Sequence, residues 1–118
     1  VVAVTGDGGF LMNVQELETA VRYGVPIVVL VWRDNGYGVI RWNQMIKFGR
    51  PAAVEFGNPD IPKLAESFGA VGLRVSGLSD LQPCLAKALD SNRPVVIDCP
   101  VDYSENLKLT ERLRALDK

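Results

Sequence analysis

The sequence predicts an α/β fold in which a parallel β-sheet is flanked by helices. Four short apolar runs rich in β-branched residues alternate with segments of helical periodicity. Each run is bounded by glycine, proline or polar residues, as strands are. Strands separated by helices are joined by crossovers, and crossovers build parallel pairs.

Val1–Thr5 is a continuous β-branched run, the pattern of a strand covered on both faces. Gly6-Asp7-Gly8-Gly9 breaks it. Asn13, with Glu16 three residues later, reads as a capping box for a helix whose inner face is Val14, Leu17, Ala20 and Val21. Gly24 ends that helix, and Pro26 leads into a second strand, Ile27–Trp32. A second polar, glycine-bearing turn follows, Arg33-Asp34-Asn35-Gly36-Tyr37-Gly38. The stretch from Val39 to Phe48 starts as a helix and then loses its periodicity. Asn58-Pro59 opens a helix through Phe68, with Ile61, Leu64, Ala65 and Phe68 on one side. Gly72–Ser76 is a short strand. Ser79 and Gln82 cap the next helix, with Pro83 in its first turn and Leu81, Leu85, Ala88 and Leu89 as the inward stripe. Arg93–Cys99 is the last strand, stopped by Pro100, and Tyr103–Lys118 reads as a C-terminal amphipathic helix.

Composition narrows the classes. At 118 residues, with 47% hydrophobic and 23% charged, the chain is one domain with an ordinary globular make-up. A net charge of −1 gives no footprint for nucleic acid or an anionic membrane. The longest apolar run, Pro26–Trp32, is far too short to span a bilayer, and no secretory signal pattern is present. Cys84 and Cys99 lack CxxC or Cys/His spacing and read as small core residues. A soluble, cytoplasmic protein is expected.

The two glycine turns carry the chemistry. In open parallel sheets, ligands bind beyond the carboxyl ends of the strands. Both turns immediately follow strands, and each presents one carboxylate, Asp7 or Asp34, beside glycines. A hard divalent cation takes oxygen ligands: carboxylates, a backbone carbonyl and the phosphates of its substrate. Glycines let backbone N–H groups approach a phosphate, and the helix expected at Asn13 adds a positive dipole end. Taken alone, each turn reads more readily as an ordinary one, with Asp34 capping its own backbone. Their pairing on successive strand ends turns the reading towards a magnesium–diphosphate site. The GxGxxG fingerprint lacks its third glycine, and no Walker GKT is present, which disfavours nicotinamide and nucleoside-triphosphate sites.

Gly6-Asp7-Gly8, followed across one helix and one strand by Asp34-Asn35-Gly36, resembles the cofactor motif of thiamine-diphosphate enzymes. The stretches GDGGFLMNVQELETAVRYGVPIVVLVWRDNGYGVIRW and VIDCPVDYSENLKLTERL look like the acetolactate synthase family over nearly the whole chain. The resemblance implies that Asp7 and Asp34 supply side-chain ligands to Mg²⁺, with Gly36 supplying a backbone carbonyl. It further implies that Gly8 and Gly9 offer N–H groups to the diphosphate and that Tyr37 and Gly38 lie along the cofactor. Many members carry Asn where Asp34 stands, and Asn35 is the aligned residue if the register shifts by one. The catabolic, flavin-free branch looks closer than the biosynthetic one. The latter usually has Trp five positions after the glycine matching Gly38, whereas Asn43 holds that place here and Trp42 comes one position early.

What the resemblance implies for activity is decarboxylation of pyruvate and condensation with a second pyruvate, giving 2-acetolactate and CO₂, with FAD disfavoured. The activating glutamate of such enzymes belongs to a pyrimidine-binding domain, usually of a neighbouring subunit in a homodimer or homotetramer. Glu16 and Glu18 fit helix capping and a solvated face instead. The chain opens on an apolar strand without Met, so residues 1–118 are expected to be a partial C-terminal diphosphate-binding domain, truncated on its N-terminal side and inactive alone. Residues 101–118 form its tail, and Asp102–Asn106 reads either as a cover over the site or as part of a surface helix packing Leu107, Leu109 and Leu113. Arg41, Trp42 and Lys47 follow the cofactor turn and are candidates to face substrate. The alternatives are another thiamine-diphosphate 2-oxoacid enzyme, such as a biosynthetic synthase or pyruvate oxidase, and a non-catalytic interaction module of the same fold.

Overall fold

The computed structural model describes residues 1–106 and 108. The elements run β1 (Val2–Gly6), α1 (Asp7–Met12), α2 (Glu16–Arg22), β2 (Val28–Arg33), α3 (Gly38–Phe48), α4 (Ile61–Ser67), β3 (Val71–Arg74), α5 (Leu78–Leu89) and β4 (Val95–Pro100). The four strands form one parallel sheet in the order β1-β2-β4-β3. The expected parallel sheet flanked by helices is the fold of the chain.

The strand order sorts the helices. From β1 the chain steps to β2, passes over to β3 and then returns to β4. With right-handed crossovers, that reversal sends the last helix to the opposite face. On one face Phe10, Leu17, Ile61 and Ala65 pack with Val31 and Val96. On the other, Ala88 of α5 packs with Val28, Val95, Ile97 and Cys99, joined by Cys84 and Leu85. Strand β4 is therefore buried on both faces, which is why its sequence is nearly continuous in apolar residues.

Several local expectations are corrected. Strand β1 is an edge strand, with Val2 44% and Val4 58% exposed, because α5 covers the β4 side of its face. Gly6–Gly9 is not a free turn: Gly6 ends β1 and Asp7 opens α1 directly. Asn13 therefore follows a helix rather than capping one, and its carbonyl accepts from the Glu16 N–H. Helix α2 ends as expected at Gly24 (φ +61), where Gly24 and Val25 N–H groups return to the Val21 and Ala20 carbonyls. Helix α3 stays regular to Phe48 and is closed by Gly49 at φ +71, yet buries no residue.

Helix α4 is capped by the Asp60 side chain, which accepts from the Lys63 N–H, so Asn58 is released from the capping role. Ile61, Leu64, Ala65 and Phe68 do form its inner side. Helix α5 starts at Leu78, with Asp80 accepting from the Ser76 and Gly77 N–H groups, so Ser79 and Gln82 are not its cap. Pro83 consequently lies inside the helix, where it removes one backbone bond. The inward stripe is Cys84, Leu85 and Ala88, while Leu81 and Leu89 are exposed. Strand β3 ends at Arg74, two residues short of Ser76, and β4 extends to Pro100. Of the helix expected over Tyr103–Lys118, Leu107, Leu109 and Leu113 lie outside the described residues. Among these residues, no helix is long and apolar enough to cross a membrane.

Candidate functional site

The carboxyl ends of β1 and β2 are neighbours, with Gly6 opposite Trp32 in the register. A cleft of about 460 Å³ opens there. All eight residues singled out from the sequence line it: Gly6, Asp7, Gly8, Gly9, Asp34, Gly36, Tyr37 and Gly38. Trp32, Val39, Ile40, Trp42 and Tyr103 add its apolar wall.

Asp7 is only 1% exposed, and its carboxylate is held from two sides. Oδ1 accepts the Gly8 N–H at 2.9 Å, while Oδ2 accepts the Asn35 N–H at 2.8 Å and the Asn58 side-chain amide at 2.7 Å. Asp34 is arranged differently. Its Oδ2 is buried and accepts no hydrogen bond, and it faces Arg41 Nη1 at 3.5 Å. Burial, and then the negative charge of Asp7, push its carboxyl pKa upward, opposed by Arg41 and by the N–H groups of Asp34 and Gly36. A buried carboxylate oxygen with open lone pairs, near a second carboxylate, is a place where a cation lowers the energy.

The glycines allow these approaches. A Cβ on Gly38 would stand 2.6 Å from Asp34 Oδ2, and one on Gly8 would stand 2.8 Å from the Tyr37 ring. A Cβ on Gly36 would meet the Arg41 guanidinium and the Val54 carbonyl. Asn35 takes a left-handed φ of +59°, which asparagine tolerates better than most residues.

Residues 49–60 return as a strap across this junction. The Tyr37 N–H donates to the Val54 carbonyl at 2.8 Å, and the Phe56 N–H donates to that of Asn35 at 3.3 Å. The Tyr37 and Phe56 rings pack at a tilt of 54° with centroids 4.9 Å apart. Asn58 sits at the end of the strap, and sequence reasoning missed it. Asn-Pro and Asp-Ile-Pro are both good helix starts, so its neighbour Asp60 hid the choice.

A second cavity of about 480 Å³ adjoins the cleft, sharing Asp34, Gly38, Trp42 and Tyr103, with Arg41 and Asp102 in its wall. The tail is anchored there by the Val101 N–H on the Arg33 carbonyl at 3.0 Å. Burial first, and then the charges of Asp34 and Asp7, raise the Tyr103 hydroxyl pKa. The described part of the tail thus borders the site. Of the three residues expected to face substrate, Arg41 and Trp42 line these cavities, whereas the Lys47 ammonium lies over the Phe48 ring. Glu18 pairs with Arg22 on the exposed face of α2.

Among the described residues, no group of three or more His, Cys, Asp or Glu side chains converges on a metal position. A cation beside Asp7 and Asp34 would complete its shell from backbone carbonyl and from its ligand's own oxygens, which is how Mg²⁺ is held with phosphates. The donor set fits a metal–diphosphate group.

Residues 1–99 match the family described as "Thiamine pyrophosphate enzyme, C-terminal TPP binding domain". Acetolactate synthase of Bacillus subtilis (strain 168) is 52% identical over 109 residues, which are 92% of this chain and 19% of that protein. The catabolic acetolactate synthase of Raoultella terrigena is 44% identical over 113 residues, 96% of this chain and 20% of that protein. The large subunit of acetolactate synthase isozyme 3 from Escherichia coli (strain K12) is 39% identical over 112 residues, 91% of this chain and 20% of that protein. In fold, the thiamine diphosphate-dependent 4-hydroxybenzoylformate decarboxylase of Rhodococcus jostii RHA1 superposes with a TM-score of 0.82 at 24% identity, over 89% of this chain and 20% of that one. The chain spans about a fifth of the length of the relatives it matches. It belongs to the family of C-terminal thiamine pyrophosphate-binding domains of thiamine pyrophosphate enzymes.

Proposed function

We propose that this domain holds Mg²⁺ and the diphosphate of thiamine diphosphate for an acetolactate synthase of the catabolic, flavin-free type. Such an enzyme converts two pyruvates into 2-acetolactate and CO₂. The observation that carries the reading is the buried, unbonded Asp34 Oδ2 on the same cleft as Asp7, at the strand ends of a thiamine pyrophosphate-binding fold. Two carboxylates repel a diphosphate, so a cation between them is required for the anion to enter.

In this reading Asp7 and Asp34 give side-chain oxygens to Mg²⁺ and Gly36 its backbone carbonyl. Asp34 is preferred over Asn35 because the Asn35 side-chain oxygen already accepts from Asn58 at 3.0 Å. Gly8 and Gly9 offer N–H groups to the phosphates, and Tyr37 and Gly38 flank the cofactor. When bound, the cofactor supplies the electron sink for decarboxylating a 2-oxoacid. The pyrimidine-binding domain, contributed by a second subunit of a homodimer or homotetramer, supplies the activating glutamate. The catabolic branch is supported by Asn43 in place of tryptophan and by the relatives at 52% and 44% identity.

The test is calorimetric titration of the full-length protein carrying this sequence with thiamine diphosphate, with and without Mg²⁺, beside Asp34→Ala. Metal-dependent binding that the variant loses, together with acetolactate formation from pyruvate without flavin, is expected. Equal binding by parent and variant would sink the Asp34 assignment.

A further inference from the structure

Asn58 lies 51 residues from Asp7 and 23 from Asn35, yet its side-chain amide reaches both. Nδ2 is 2.7 Å from Asp7 Oδ2 and 3.0 Å from Asn35 Oδ1. The amide's orientation follows from chemistry, since an ionised carboxylate only accepts and the NH₂ end must therefore face it. Its two hydrogens are thereby used on the β1–α1 junction and on the β2–α3 junction, one each.

The consequence for Asp7 is directional. Oδ2 receives two donors, from Asn35 and Asn58, whereas Oδ1 receives one, from Gly8. The carboxylate is thus turned so that Oδ1 keeps the freer lone pair. Without Asn58 the group loses one of the two donors on Oδ2, and the left-handed Asn35 loses the bond that ties its side chain to the strap.

We infer that Asn58 is a positioning residue for the metal–diphosphate site, orienting the Asp7 carboxylate and locking the Asn35 turn so that Asp7 and Asp34 face one cation. The inference rests on the reading of that site given above. Partners that orient a metal's ligands typically affect affinity by about 10–100-fold when removed.

The experiment is calorimetric titration of thiamine diphosphate into the cofactor-free, full-length protein at a series of Mg²⁺ concentrations. It compares the parent with Asn58→Ala, Asn58→Leu and Asp7→Ala, and thermal melting is recorded for each. Asn58→Leu keeps most of the volume and removes both polar atoms, so it separates hydrogen bonding from packing. Both Asn58 variants are expected to remain folded and to need at least about tenfold more Mg²⁺ for half-saturation. Parental Mg²⁺ dependence in Asn58→Leu would overturn the inference, because the residue would then only fill space. Loss of the folded state in both variants would also overturn it, since the role would lie in folding. If Asp7→Ala binds like the parent, the site reading itself fails. If Asp7→Ala loses binding while Asn58→Leu keeps it, only the role of Asn58 fails.

Discussion

Arg33 Nε lies 2.8 Å from Asp98 Oδ1, which joins the ends of β2 and β4 at the residue immediately before Asp34. Asp98 is fully buried, and its other oxygen takes Arg74 Nε at 2.9 Å. Arg74 in turn reaches the Asp60 cap of α4 at 3.0 Å, and the Asp98 bond raises its pKa. One carboxylate therefore couples the strand that presents Asp34 to the helix that follows Asn58. Replacing it by asparagine keeps the shape but sets an NH₂ group against a guanidinium. Hydrogen bonds to charged groups contribute about 1.5–3 kcal/mol each. Asp98→Asn is expected to lower unfolding free energy by about 2–4 kcal/mol, read from a denaturant midpoint, and a change within about 0.5 kcal/mol would refute the network's role.

Gly38 is a test of the site that leaves the core alone. The three atoms nearest its Cβ all belong to the Asp34 carboxyl group, with Oδ2 at 2.6 Å, so it is the Asp34 side chain that must give. Gly38→Ala should keep the thermal midpoint while raising the Mg²⁺ needed for cofactor binding by about tenfold or more, as removing an orienting contact does. Gly57→Ala, where no atom lies within 4 Å of the added carbon, is the control and should match the parent. An unchanged Gly38→Ala would mean that Asp34 is not held where the metal binds.

Cys99 supplies the pH dependence. Burial first, and then the charge of Asp98, push its thiol from 9.0 up to about 11. The raised folded pKa means that the folded state keeps the proton longer. Its stabilising contribution is complete below pH 9 and is lost as pH rises towards 11, at about 1.4 kcal/mol per unit at most. Equilibrium unfolding of the parent should weaken across that window, and Cys99→Val should flatten the slope. A parallel decline in both proteins would place the titrating group elsewhere.

Much of this was legible because it is local. The apolar runs and the helix closed at Gly24 follow from spacing that a neighbourhood of residues decides. The two glycine segments announced themselves by following strands, although the first opens α1 instead of forming a turn, and the eight residues they contribute do share one cleft. What escaped was set by partners far along the chain. Asp98 sits in an apolar strand with no local reason until the register puts it opposite Arg74 and the Arg33 side chain reaches back to it. Asn58 reads as a helix cap until the strap carries it to Asp7. The exposure of β1 depends on strand order, which no periodicity within β1 contains.

Gly72 tests whether the placement of α4 matters to the site. A Cβ there would fall on the Pro62 carbonyl oxygen and within 2.6 Å of its Cα, so backbone rather than a side-chain tip stands in the way. Helix α4 can sit this close to β3 only because the strand has no side chain at that point. Overpacking of this kind costs about 1–3 kcal/mol, sometimes more, and here the relief must come from lifting the start of α4. Pro62 is four residues beyond Asn58 and two beyond Asp60, so that lift would pull on both the Asp7 contact and the Arg74 pair. Gly72→Ala should therefore lower stability by at least about 2 kcal/mol and weaken Mg²⁺-dependent cofactor binding in the same protein, although the mutated residue does not line the cleft. Denaturant unfolding and calorimetric titration separate the two effects. Loss of stability with parental Mg²⁺ dependence would mean that α4 relaxes without moving Asn58.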